Sequence, residues 1–119
     1  MTKKVLLIDD DPDIVDAIQM TLEDAGYETA VASKVEEALL KARDYNPDLI
    51  ILDMLLSGHD GRTIAQQFKN TDETKAIPLL MISAHPDAAQ RAKAAGVNSF
   101  LAKPFDISEL IETVEELLT

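Results

Sequence analysis

The sequence predicts a single α/β domain built on a parallel sheet of five strands, and three observations carry that prediction. Apolar runs at residues 5–8, 49–52 and 79–82 are continuous instead of alternating, as in strands covered on both faces. Each run, like the two weaker strand candidates Glu28–Ala32 and Ser99–Ala102, is followed by a segment of helical spacing, so a βα unit repeats five times. At 119 residues, 46% of them hydrophobic, the chain can bury one core and holds one domain, residues 1–119.

The first helix sets Ile14, Ile18, Leu22 and Ala25 on one stripe, with Asp11 as N-cap, Pro12 in the first turn and Gly26 as its stop. The second opens on an S-x-x-E capping box, Ser33 with Glu36. It buries Val35, Ala38, Leu39 and Ala42 and stops at Asn46-Pro47. A third helix over residues 62–69 buries Ile64, Ala65 and Phe68 and gives way to a polar loop at 70–75. The fourth begins at Pro86. Ala88, Ala89, Ala92 and Ala95 line its inner side and Gly96 ends it, so thin, adjustable packing is expected there. The last carries Asp106 as N-cap, Glu109 as its capping-box partner, a staple from Phe105 to Leu110, and a stripe of Leu110, Val114 and Leu117.

Composition removes several classes of function. Without cysteine there is no disulfide framework, thiolate zinc site or cysteine nucleophile. A formal charge of −11 would repel a phosphate backbone, so direct nucleic-acid binding is not expected. The apolar run behind the basic start is too short for a signal-peptide core or membrane span, and a cytoplasmic location is expected. No linker or tail follows the last helix, so output is expected to pass through the surface of this domain.

In an open parallel sheet, ligand-binding side chains gather beyond the carboxyl ends of the strands. Those positions are Asp9, Asp10 and Asp11 after the first strand, Asp53 after the third, Ser83 after the fourth and Lys103 after the fifth. Singly they read as a cap, a turn former, a loop hydroxyl and a solvated lysine. Together they make one chemical site. Clustered carboxylates resist joint ionisation, and a divalent cation with a preference for hard oxygen donors, Mg²⁺ or Mn²⁺, relieves that repulsion. A carboxylate can attack phosphorus, with Lys103 and Ser83 placed to balance charge on phosphoryl oxygens. Asp53 is the best placed nucleophile.

Five blocks of the chain resemble the receiver domains of two-component response regulators, of the stand-alone, chemotaxis type. They are residues 5–12 (VLLIDDDP), residues 48–53 (DLIILD), Asp60-Gly61, residues 82–84 (ISA) and residues 102–105 (AKPF). The resemblance implies a flavodoxin-like (βα)5 doubly wound sheet with strand order 2-1-3-4-5. It implies a phosphorelay switch, not an enzyme, in which Asp53 is phosphorylated by a sensor histidine kinase or histidine phosphotransfer protein. It also implies that Asp10 and Asp53 ligate the metal directly, Asp9 through water and Leu55 through its backbone carbonyl. Lys103-Pro104 corresponds to the family's cis peptide. Phe100 matches its aromatic switch, turning inward beside Ala84 as Ser83 closes on the phosphoryl group. The changing face comprises the fourth helix, fifth strand and fifth helix, and serves an unnamed protein target, with the chain a monomer or a phosphorylation-dependent dimer and no membrane partner. Leu55 and His85 occupy the variable positions that flank the phosphoryl group. Ser57, where many members carry proline, and His59, an ordinary surface histidine, depart from the pattern.

Three other readings share parts of this pattern. A haloacid dehalogenase type phosphatase also uses an aspartate nucleophile, but needs a second aspartate two residues later, where Leu55 cannot transfer a proton. A flavodoxin would bring an FMN phosphate against Asp9, Asp10 and Asp11, which repel it. A degenerate receiver would bind proteins without phosphorylation, although all five chemical positions are retained.

Overall fold

A computed structural model describes residues 2–53, 55, 56, 59–84, 90, 93 and 96–119, with only the backbone at 35, 55, 56 and 59–62. Its sheet contains β1 (Lys4–Ile8), β2 (Glu28–Ala32), β3 (Leu49–Asp53), β4 (Leu79–Ser83) and β5 (Ser99–Ala102). The order is β2-β1-β3-β4-β5, with every neighbouring pair parallel. This is the expected flavodoxin-like order. Between β3 and the third helix, Leu55–Leu56 and His59–Asp60 form a short antiparallel ribbon.

The continuous apolar strands are explained by two cores. Leu6, Ile8, Ile50, Leu52, Leu79 and Met81 point to one face, toward α2 (Val35–Tyr45) and α3 (Gly61–Asn70). Val5, Leu7, Leu49, Ile51, Leu80 and Ile82 point to the other, toward α1 (Pro12–Asp24) and the C-terminal helix (Ile107–Leu118). Alternate residues of a strand serve opposite faces, so burying both requires an apolar residue at every position.

Helix ends follow the sequence with two corrections. Asp11 caps α1 as expected, its Oδ1 accepting the Asp13 N–H at 3.0 Å, and Gly26 turns the chain at φ +98°. The buried stripe of α1 is Val15, Ile18 and Leu22, whereas Ala25 is the exposed C-cap. The Ser33–Glu36 box does not form. Lys34 is the N-cap and makes no side-chain cap bond, because α2 starts one residue later than the box requires. Glu37 then lies in the third helical position and pairs with Lys41 at 3.2 Å. At the C-terminal helix, the Asp106 N–H reaches Glu109 Oε1 at 3.4 Å, as its capping box requires. The expected fourth helix lies outside the described residues, apart from Gln90, Lys93 and Gly96.

The polar loop after α3 hides a buried residue. Thr74 is 1% exposed, and its hydroxyl donates to the Phe68 carbonyl at 2.6 Å, satisfying one of the open acceptors at the end of α3. At the opposite side of the sheet, β2 is an edge strand. Ala32 turns its carbonyl inward to the Asp9 N–H, so the neighbouring Val31 carbonyl faces outward. Lys41 Nζ donates to it. Among the described residues, no helix is long and apolar enough to cross a membrane.

Candidate functional site

The strand order reverses between β1 and β3, which lie side by side. Their carboxyl ends therefore open the crevice where ligands bind in such sheets. Ile8 is level with Leu52, so Asp9 and Asp53 follow at the same height, with Asp10 next in line. Asp9, Asp10 and Asp53 each offer a carboxylate oxygen, and these atoms all lie within 4.8 Å of one another.

Asp9 sits at the floor of the site, 1% exposed. Its Oδ1 accepts the Asp11 N–H at 3.0 Å, while its Oδ2 is buried with no hydrogen-bond partner among the described residues. Burial pushes the Asp9 carboxyl above the ordinary 3.8. The Asp11 N–H opposes that shift, and the negative charge of Asp53 adds to it. A buried acceptor without a donor is rare in a folded protein. Asp9 also has two further carboxylates within 4.8 Å, and an oxygen-only cluster with an orphaned atom fits a hard divalent cation such as Mg²⁺. The three aspartates can thus hold a metal ion.

Asp53 also has a cation beside it. Lys103 Nζ lies 3.7 Å from Asp53 Oδ1, the two side chains being 21% and 13% exposed. The backbone holds Lys103 in place, its N–H donating to the Ser83 carbonyl at 2.8 Å; the Lys103–Pro104 bond is cis. Ser83 is buried at the end of β4, level with Ala102 of β5. The five chemical positions expected from the sequence therefore converge on one strand edge.

The remaining positions are spread around this centre. Ala84 is exposed. With Ile14, Lys103, Pro104 and Phe105 it lines an open cavity of about 390 Å³. The sequence had assigned Ile14 and Phe105 only to helix packing; both are half-buried, and nothing in their spacing marks the second role. Phe100 is half-buried against the α2–α3 core, level with Met81. The backbone of Leu55 lies in the short ribbon, and His85 lies outside the described residues.

Burial of the Asp9 carboxyl is expected to make its charge costly in the metal-free protein. The folded state binds its proton more readily than the unfolded chain, so stability is expected to fall as pH rises from 3.8 through the raised folded value. Asp9→Asn is expected to raise the melting temperature of the metal-free protein at neutral pH by a few degrees. That gain should vanish on acidification toward pH 3.8, and the variant should lose most of the stabilisation that Mg²⁺ gives wild type. Thermal denaturation with magnesium or a chelator, repeated across pH, checks each part.

Comparisons with known proteins agree with this geometry. Residues 5–115 match the response regulator receiver domain. Over 117 residues the chain is 36% identical to the DNA-binding dual master transcriptional regulator RpaA of Synechocystis sp., covering 97% of this chain and 48% of RpaA. The chain thus spans about half the length of the transcriptional regulators it matches. Among solved structures, chemotaxis response regulator CheY4 of Vibrio cholerae superposes with a TM-score of 0.91 at 33% identity, covering 99% of this chain and 100% of that one. The receiver domain of NtrX from Brucella abortus gives 0.88 at 34% identity, covering 96% and 97%. Sequence, fold and site lead to one assignment: the chain belongs to the response regulator receiver domain family of two-component systems.

Proposed function

We propose that Asp53 is the phosphoacceptor of a phosphorelay and that its modification switches a protein-binding surface. One observation carries this reading: the Asp53 carboxylate has oxygens of Asp9 and Asp10 within 4.8 Å and the Lys103 ammonium at 3.7 Å. In the reaction an Asp53 oxygen forms a new bond to phosphorus as the donor's bond to that phosphorus breaks, and the leaving group departs with a proton. Lys103 balances charge on a phosphoryl oxygen, and the Ser83 hydroxyl donates to another. Mg²⁺, held by Asp9, Asp10, Asp53 and the Leu55 carbonyl, supplies charge neutralisation when bound. By the family resemblance, positions 55 and 85 influence the lifetime of the phosphoryl group.

The donor is a sensor histidine kinase or histidine phosphotransfer protein, and the apolar cavity of Ile14, Pro104 and Phe105 beside Lys103 is a suitable landing place for it. The output surface includes β5 and the C-terminal helix, with Ser83, Ala84 and Phe100 relaying the change. The acidic charge of −11 supports a protein target in place of nucleic acid. Against the phosphatase reading, a leucine at 55 leaves the phosphoryl group without the general acid and base that turnover needs.

Intact mass after incubation with acetyl phosphate tests the proposal. Wild type is expected to gain one phosphoryl group with Mg²⁺ present and none with a chelator. An unmodified wild type would overturn the reading, and sustained release of inorganic phosphate from an unrelated ester would favour the phosphatase.

A further inference from the structure

The end of the sheet opposite Asp53 contains a second polar cluster. Lys69, in the last turn of α3, donates from Nζ to Asn98 Oδ1 at 2.9 Å and to the Ile77 carbonyl at 3.2 Å. Asn98 in turn brackets Leu79, its Oδ1 accepting the Leu79 N–H at 2.9 Å and its N–H donating to the Leu79 carbonyl at 3.0 Å. The stem of Lys69 lies against the preceding turn, where Gly96 has φ +87° and a Cβ at that position would stand 3.8 Å from Lys69 Cγ. Three segments meet at one ammonium: the foot of α3, the entry to β4 and the entry to β5. Burial lowers the pKa of this lysine below its ordinary value, so its charge is held there by the two acceptors against a desolvation penalty.

The position of this cluster gives it a role beyond anchoring. α3 is a helix of ten residues, about 15 Å long, and its first residue directly follows the ribbon that leads from Asp53. Its foot holds Asn98, and Phe100 stands two residues further along β5. Residues 99–102 pair in continuous register with residues 80–83, and Asn98 is hydrogen-bonded to Leu79 just before that ladder begins, so residues 98 and 100 are tied to one run of strand pairing. We propose that Lys69 is a positioning residue for the switch, in which α3 carries a displacement from the Asp53 loop to its foot and the Lys69–Asn98 contact passes it to β5 and Phe100. The route is physically separate from the one through Ser83 and Ala84 at the top of the sheet. It rests on the reading of Asp53 as the phosphoacceptor.

The test combines intact mass with amide spectra recorded under excess acetyl phosphate and Mg²⁺. Lys69→Met keeps the apolar stem and removes the ammonium. The variant is expected to take up the phosphoryl group to the wild-type extent, while the accompanying shifts of the Ser99–Ala102 amides fall by at least about half. Lys69→Arg is expected to restore them. Asn98→Ala removes the acceptor from the other side and is expected to reproduce the loss, which keeps the test available if Lys69→Met does not fold. Full-sized shifts in either modified variant would overturn this proposal alone. Absence of a mass gain in wild type would overturn the phosphoacceptor reading and this proposal with it.

Discussion

Asp53→Asn is expected to abolish phosphoryl uptake outright while leaving the fold intact. The amide lacks the negative charge that makes a carboxylate oxygen nucleophilic, and the neighbouring carboxylates are poorly placed to substitute. Asp9 is buried, with one oxygen committed to the Asp11 N–H, and Asp10 is exposed at the rim. Asp53 alone of the three ends a strand with Lys103 Nζ at 3.7 Å. The same substitution removes one of three like charges that meet within 4.8 Å, so thermal stability without metal should not fall. That combination separates lost chemistry from lost structure. Intact mass and a melting curve suffice, and a mass gain retained in the variant would move the acceptor role to Asp10.

Phe68→Ala is expected to be the most damaging single substitution in the core. Phe68 is fully buried on α3 beside Ile64 and Ala65, in the cluster that also holds Leu52 and Met81. Truncating such a ring costs about 3–5 kcal/mol through lost burial and an unfilled cavity, against a total stability of roughly 5–15 kcal/mol for a domain. Urea denaturation followed by circular dichroism should show the midpoint fall steeply with little change in slope. A loss under about 1 kcal/mol would mean that the site collapses to fill the space.

The core was legible because a both-faces-buried strand needs an apolar residue at every position, and residues 5–8, 49–52 and 79–82 satisfy that without long-range information. The site was legible for a related reason: strand ends in a parallel sheet share one edge, so chemistry-bearing residues far apart in the chain converge once the strands are placed. Features that depend on which group meets which were not legible. Ser33 and Glu36 have the spacing of a capping box, yet α2 starts at Val35 and Glu37 pairs with Lys41 instead. Thr74 looks like any loop threonine until the end of α3 is built and its carbonyls need a donor. The solitary oxygen of Asp9 is likewise a property of packing, since its burial depends on elements contributed by distant parts of the chain. Position along the sequence gives the clustered carboxylates, and tertiary structure leaves one of their oxygens without a hydrogen-bond donor among the described residues.

Lys41 bears on how the molecule behaves in a crowd. An edge strand is a template on which another chain can continue the sheet, and an outward carbonyl is where an incoming amide would attach. At Val31 that acceptor is already engaged by a lysine from the protein's own helix, and an arriving strand would have to displace a charged group to pair there. Lateral growth of the sheet is opposed at its first step, and copies of the chain are hindered from knitting together along β2.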